Sequence, residues 1–144
     1  MLPFALRGID HVVLRVLDLE RSIGFYRDVL GCALERRRED LGLVHLRAGR
    51  ALIDLVSVDG VLGRRGGAGA GTEGRNLDHL CLRIEPFDES VIVAYLDRYG
   101  IAVQGRTEMR FGAEGEGPSI YLEDPDGNVV ELKGPATPSP AQKL

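Results

Sequence analysis

Apolar and polar residues alternate in two short stretches of this chain that are near copies of one another. Residues 9–16 read I-D-H-V-V-L-R-V and residues 77–84 read L-D-H-L-C-L-R-I, aligned without a gap 68 residues apart. Asp, His, Leu and Arg are identical, and the other positions exchange one apolar residue for another. Both stretches have the length and aliphatic content of a strand. A helical period follows each. After the first, Asp18 is placed to cap, Leu19, Ile23, Tyr26 and Leu30 form a stripe, and Gly31 closes the element. After the second, Asp88 caps and Phe87 is placed to staple onto Ile92. Val91, Ile92, Tyr95 and Tyr99 make the stripe, and Gly100 ends it.

The remainder of each half is strand-like. Apolar runs fall at 32–35, 43–48 and 51–58 in the first half, and at 101–104, 119–123 and 128–133 in the second. Aligning the last runs sets A-L-I-D-L-V over N-V-V-E-L-K, 77 residues apart, so that Asp54 corresponds to Glu131. The pattern is β-α-β-β-β twice, an α+β arrangement with mainly antiparallel neighbours. The modules expected are 8–58 and 77–133, joined by a glycine-rich flexible connection at 59–76 and followed by a disordered tail at 134–144.

Composition narrows the class. The chain has 144 residues, 44% hydrophobic and 28% charged, which is enough for one folded domain of ordinary soluble type. A net charge of -4 gives no electrostatic reason to expect nucleic acid or an anionic membrane as partner. No apolar run approaches a membrane span, and the N-terminus lacks the features of a secretory signal, so a cytoplasmic protein is expected. Cys32 and Cys81 cannot form a disulfide framework and read as reduced, packed thiols.

Candidate chemistry lies at four symmetric misfits. His11, His79, Asp54 and Glu131 each interrupt an otherwise aliphatic strand, and alternation pairs His11 with Val13 and Arg15, and His79 with Cys81 and Arg83. Imidazole and carboxylate donors together suit a divalent ion such as Mn, Fe, Co, Ni or Zn. A cation also offsets the desolvation cost of a carboxylate among aliphatic walls. The G-G-A-G-A-G run at 66–71 neither follows a strand directly nor opens a helix, so it is a linker and not a phosphate loop. Arg36, Arg37 and Arg38 before Glu39 and Asp40 look like a solvated hairpin turn. His45, with no partner in the repeat, reads as a substrate-facing or half-exposed residue and not as a ligand.

The segments G-I-D-H-V-V-L-R-V, D-L-E-R-S-I-G-F-Y-R-D-V-L-G and S-I-Y-L-E-D-P-D-G-N-V-V-E-L-K resemble the vicinal-oxygen-chelate superfamily. That superfamily includes glyoxalase I, bleomycin-binding proteins and extradiol dioxygenases, and the resemblance runs from about residue 8 to 133. It implies two tandem βαβββ modules forming a cup-shaped half-barrel around a metal site. It also implies His11, His79 and Glu131 as ligands to one divalent metal. Asp54 departs from the Glu or Gln usual at its position, which makes it an outer-sphere group or a catalytic base and speaks against glyoxalase I itself. Arg15 and Arg83 stand where a cation could hold an anionic substrate, and Tyr121 is a candidate wall residue. The function implied is a metal-dependent enzyme that chelates two neighbouring oxygens of a small substrate, with lyase, isomerase, transferase and dioxygenase chemistry all open. The alternative is a metal-free cup that sequesters a small molecule. A homodimer is expected, because an open sheet edge or face favours pairing.

Overall fold

His11–Val16 forms β1, the first half of a sheet whose inner face is set by strict alternation. Leu14 and Val16 are buried, whereas His11 and Val13 on the opposite face are exposed. Asp18 caps α1 (Leu19–Ile23), its side chain accepting the Arg21 N–H at 3.0 Å. The helix then widens into a π turn over Gly24–Val29, with the Leu30 N–H bonded to the Phe25 carbonyl. The wider turn brings Phe25 inward beside Tyr26, their rings 4.9 Å apart and edge-to-face, a burial the 3.6-residue stripe does not anticipate. Gly31 ends the element at φ 81°, where a side chain would be strained.

Three strands complete the first module: β2 (Ala33–Arg38), β3 (Leu43–Ala48) and β4 (Ala51–Ser57), in the sheet order β1-β4-β3-β2. Val44, Leu46, Ile53 and Leu55 join Leu14, Val16, Ile23 and Tyr26 in its core. Each such side chain contributes about 1.5–3 kcal/mol by leaving water. Arg36 to Arg38 belong to the edge strand β2 and not to a turn; Arg37 pairs with Glu20 and Glu39, and Arg38 with Asp40. The reversal itself is a short 3-10 turn over Glu39–Leu41.

The connection expected to be flexible has a built segment. A 3-10 turn over Gly63–Gly66 is held by Arg15, whose guanidinium donates to the carbonyls of Gly63, Gly67 and Ala68 at 2.9, 2.5 and 3.1 Å. Glycine is needed for this approach, because a Cβ on Gly63 would stand 1.8 Å from the Ser57 carbonyl oxygen.

The structure, a computed structural model, describes residues 1–138, which divide after Ala70 into two compact units. The second contains β5 (Leu80–Arg83), α2 (Glu89–Asp97), β6 (Gln104–Gly112), β7 (Gly115–Glu123) and β8 (Val129–Lys133), in the order β5-β8-β7-β6. Asp88 caps α2 by accepting the Val91 N–H at 3.2 Å. The helix turns Leu96 fully inward and leaves Val91 and Tyr99 exposed, so the buried stripe is rotated from the one the sequence suggests. The expected strand at 101–104 is instead β6, which begins at Gln104 and forms a hairpin with β7 through the glycine-rich segment. Ile120, Leu122, Val130 and Leu132 are the core of this sheet.

Corresponding strands pair alike in the two modules. β1 runs parallel to β4 with Val13 opposite Asp54, and β5 runs parallel to β8 with Cys81 opposite Glu131. The remaining neighbours are antiparallel. Of the expected tail, Gly134 and Thr137 bond back to β7 through Pro118 and Glu116, and residues 139–144 lie outside the described ones.

Candidate functional site

In the second module the alternation of β8 places Glu131 on the sheet face opposite the core residues Val130 and Leu132. The turn before it sets that register. The buried carboxylate of Asp124 accepts the backbone N–H groups of Asp126 and Asn128 at 2.9 and 2.8 Å and the Asn128 side-chain amide at 2.9 Å. Gly127 supplies φ 76°, and its carbonyl receives Arg75. Glu131 is thereby fixed in a site where only 7% of its side chain meets solvent.

His79 stands immediately before β5 and reaches the same carboxylate, with Nε2 3.0 Å from Glu131 Oε2. Its other nitrogen, Nδ1, lies 2.7 Å from Asp78 Oδ2. A neutral imidazole carries one N–H and cannot donate to both carboxylates. A spacing of about 3 Å is also the edge of a coordination sphere whose donors stand about 2.1 Å from the ion near right angles. These two residues therefore fit a divalent metal, and Asp78 holds the ring as carboxylates hold metal-ligating histidines.

A cleft of ≈ 330 Å³ opens over this pair, with Cys81, Arg83, Lys133 and the hairpin residues Phe111 and Glu114 in its walls. Partial burial and the neighbouring Glu131 carboxylate, which also accepts a hydrogen bond from it, push the Cys81 thiol up to about 11. Cys81 is thus a cleft residue and not a packed core thiol. Arg83 pairs with Glu114 and Glu85 at 2.8 and 3.3 Å. Tyr121 sets its ring edge-to-face on His79 at 5.9 Å, and its hydroxyl engages Arg110. Lys133, buried on the same strand face, donates to the carbonyls of Arg110 and Gly117 and thereby ties the β6–β7 hairpin to the floor of the cleft.

The first module repeats the layout with different contacts. His11 Nδ1 lies 2.6 Å from Asp10 Oδ1; that bond, reinforced by the charge of Asp54, raises the imidazole above its ordinary value. Asp10 and Asp78, each the residue before its histidine, both orient histidines. Asp54 is buried at the position equivalent to Glu131, but it bonds His45, with Nδ1 2.8 Å from Oδ1. Arg15 is committed to the connection, as described above.

The second module thus brings together His79, Glu131, Tyr121 and Arg83, and the first brings together His11, Asp54 and His45. Among the described residues no group of three His, Cys, Asp or Glu side chains is gathered for a metal. Sequence reasoning missed Lys133 and the partnership of His45. The second was within reach, because pairing β3 with β4 and β7 with β8 puts His45 opposite Asp54 and Tyr121 opposite Glu131.

Residues 8–132 match the family described as Glyoxalase/Bleomycin resistance protein/Dioxygenase superfamily. The chain is 32% identical over 125 residues to virulence protein STM3117 of Salmonella typhimurium, covering 86% of this chain and 81% of that protein. The crystal structure of STM3117 superposes with a TM-score of 0.74 at 28% identity, over 92% of this chain and 100% of that one. TnmS3, an antibiotic binding protein from Streptomyces sp. CB03234, has a TM-score of 0.66 at 25% identity, over 92% and 99% of the two chains. Lactoylglutathione lyase from Agrobacterium tumefaciens, at 20% identity and a TM-score of 0.63 over 90% and 94%, shares the fold.

Proposed function

Because this chain belongs to the glyoxalase/bleomycin resistance protein/dioxygenase superfamily, we propose that it is a divalent-metal-dependent enzyme acting on a small, oxygen-rich substrate. The observation that carries this reading is the buried Glu131 carboxylate set 3.0 Å from His79 Nε2, with the opposite ring nitrogen held by Asp78. His79 and Glu131 are two of the metal's protein donors. When bound, an ion such as Mn, Fe, Co, Ni or Zn supplies Lewis-acid activation of two neighbouring substrate oxygens. The chain's own residues do the rest. Asp78 fixes the His79 tautomer, Tyr121 walls the imidazole, and Arg83 at the cleft offers its guanidinium to an anionic group of the substrate.

Metal content tests this directly. Protein purified without a His-tag or chelator is expected to carry close to one transition metal per chain, and folded His79→Ala and Glu131→Ala variants are expected to lose it. A wild-type chain that neither contains nor takes up Mn, Fe, Ni or Zn would sink the proposal. That result would favour a small-molecule binding protein, a second reading supported by the open cleft and by the likeness to TnmS3. We further propose a cytoplasmic homodimer. Sedimentation at micromolar concentration is expected to give twice the chain mass, and a monomer there refutes the dimer.

A further inference from the structure

The cleft of the second module is lined by a cation that no carboxylate of the described residues answers. Two rows of side chains cross the sheet beneath it, because residues opposite one another on paired strands share a face. One row is Cys81, Glu131 and Tyr121; the next, two residues along β8, is Arg83, Lys133 and Ser119. Glu131 is taken by His79 and by the Cys81 thiol. Arg83 holds Glu114 at 2.8 Å and Glu85 at 3.3 Å. Both carboxylates that line the cleft, Glu131 and Glu114, are therefore engaged.

Lys133 differs. Only 6% of it is exposed, and its ammonium donates to the carbonyls of Arg110 and Gly117. An ammonium has three N–H groups to place, and two of them are used. Directly opposite on β7, the Ser119 hydroxyl is buried and also lacks a partner among the described residues. Donors in this row outnumber the acceptors that reach them, and a buried charge with no counter-charge is costly. Gly112 keeps the space beside the lysine open, since a Cβ there would stand 2.6 Å from Cε and 3.7 Å from Nζ. Its φ is not positive, so the space and not the backbone calls for glycine. Phe111, 80% exposed, adds an apolar surface to the same cleft.

We propose that Lys133 seats a carboxylate of the cleft's ligand, a small acid whose apolar body lies against Phe111, which rests on the reading of this cleft as the substrate site. The carboxylate takes the third N–H and supplies the missing counter-charge. A phosphate suits the place less well, because its second charge would face Glu131 and Glu114. Lys133 and Glu131 stand two residues apart on one strand face, about 7 Å, so one small molecule reaches both.

Benzoate, a carboxylate on an apolar ring, is the probe, and benzamide is its neutral counterpart. Calorimetric titration of the full-length chain is expected to show benzoate binding about tenfold more tightly, the margin of one charge-assisted hydrogen bond. Lys133→Gln keeps N–H groups for the two carbonyls but loses the charge; it is expected to lose that margin and keep its metal. Gly112→Ala keeps the charge and crowds the lysine, and is expected to weaken benzoate about tenfold. It decides the matter if Lys133→Gln does not fold. Equal affinity for benzoate and benzamide in the wild type, or undiminished benzoate affinity in either folded variant, overturns the proposal. Inorganic phosphate binding more tightly than benzoate overturns the choice of carboxylate. Glu131→Ala, which removes a metal donor, is expected to keep benzoate, so failure of the metal site is distinguishable from failure of the seat. Benzoate lost in that variant belongs to the metal, and the seat falls.

Discussion

At the scale of single residues, the cleft is defined by how far each carboxylate reaches. Glu131 extends to His79 and accepts the Cys81 thiol, whereas Asp54 stops at His45. The Cys81 thiol, at an exposed residue, reports on this arrangement. The thiolate is the charged form, so partial burial and the Glu131 charge both disfavour it, and its population at neutral pH is small. Iodoacetamide is expected to alkylate Cys81 about a hundredfold more slowly than free cysteine at about pH 8. Glu131→Gln removes the negative neighbour and is expected to accelerate the reaction; an unchanged rate would mean that Glu131 does not act on the thiol.

At the scale of elements, the turn before β8 and the pairing of β5 with β8 place the functional face. Asp124 is the centre of that turn, and Asp124→Ala strands two backbone N–H groups and an amide that it now satisfies. A loss of about 2 kcal/mol is expected, read as a lower denaturant midpoint at unchanged slope. Elements also show where patterning is legible. β4 and β8 are buried on both faces, whereas β1 and β3 follow the alternation of the chain closely, because one face of each is packed in a core. β6 does not, because it is an edge strand whose residues are almost all exposed, and burial is what writes the pattern. The stripe of α2 is misplaced for a related reason: several apolar residues crowd the helix, and only packing selects Leu96.

At the scale of the whole molecule, the candidate site implies a link between metal and stability. A metal that binds only the folded chain stabilises it by about 2.7 kcal/mol at a hundredfold excess over its dissociation constant. For a chain of this size that corresponds to an upward shift in melting temperature of about 5–10 °C. Wild-type protein titrated with zinc or nickel is expected to show it and Glu131→Ala is not; equal shifts would place the binding elsewhere. The described residues contain no helix long and apolar enough to cross a membrane.

The repeat of D-H-x-x-L-R, the alternation of its strands and the D-P-D-G turn were enough to establish the two βαβββ modules and to mark His11, His79, Asp54 and Glu131. Those are properties of local period and composition, which a chain carries in one dimension. Which partner each carboxylate grips was decided only in the folded sheets. The His45–Asp54 pair, the commitment of Arg15 to three carbonyls and the seat of Lys133 under the hairpin all join residues far apart in the chain or on different strands. Side-chain reach and strand register set those contacts, and neither is written in the spacing of residues along the chain.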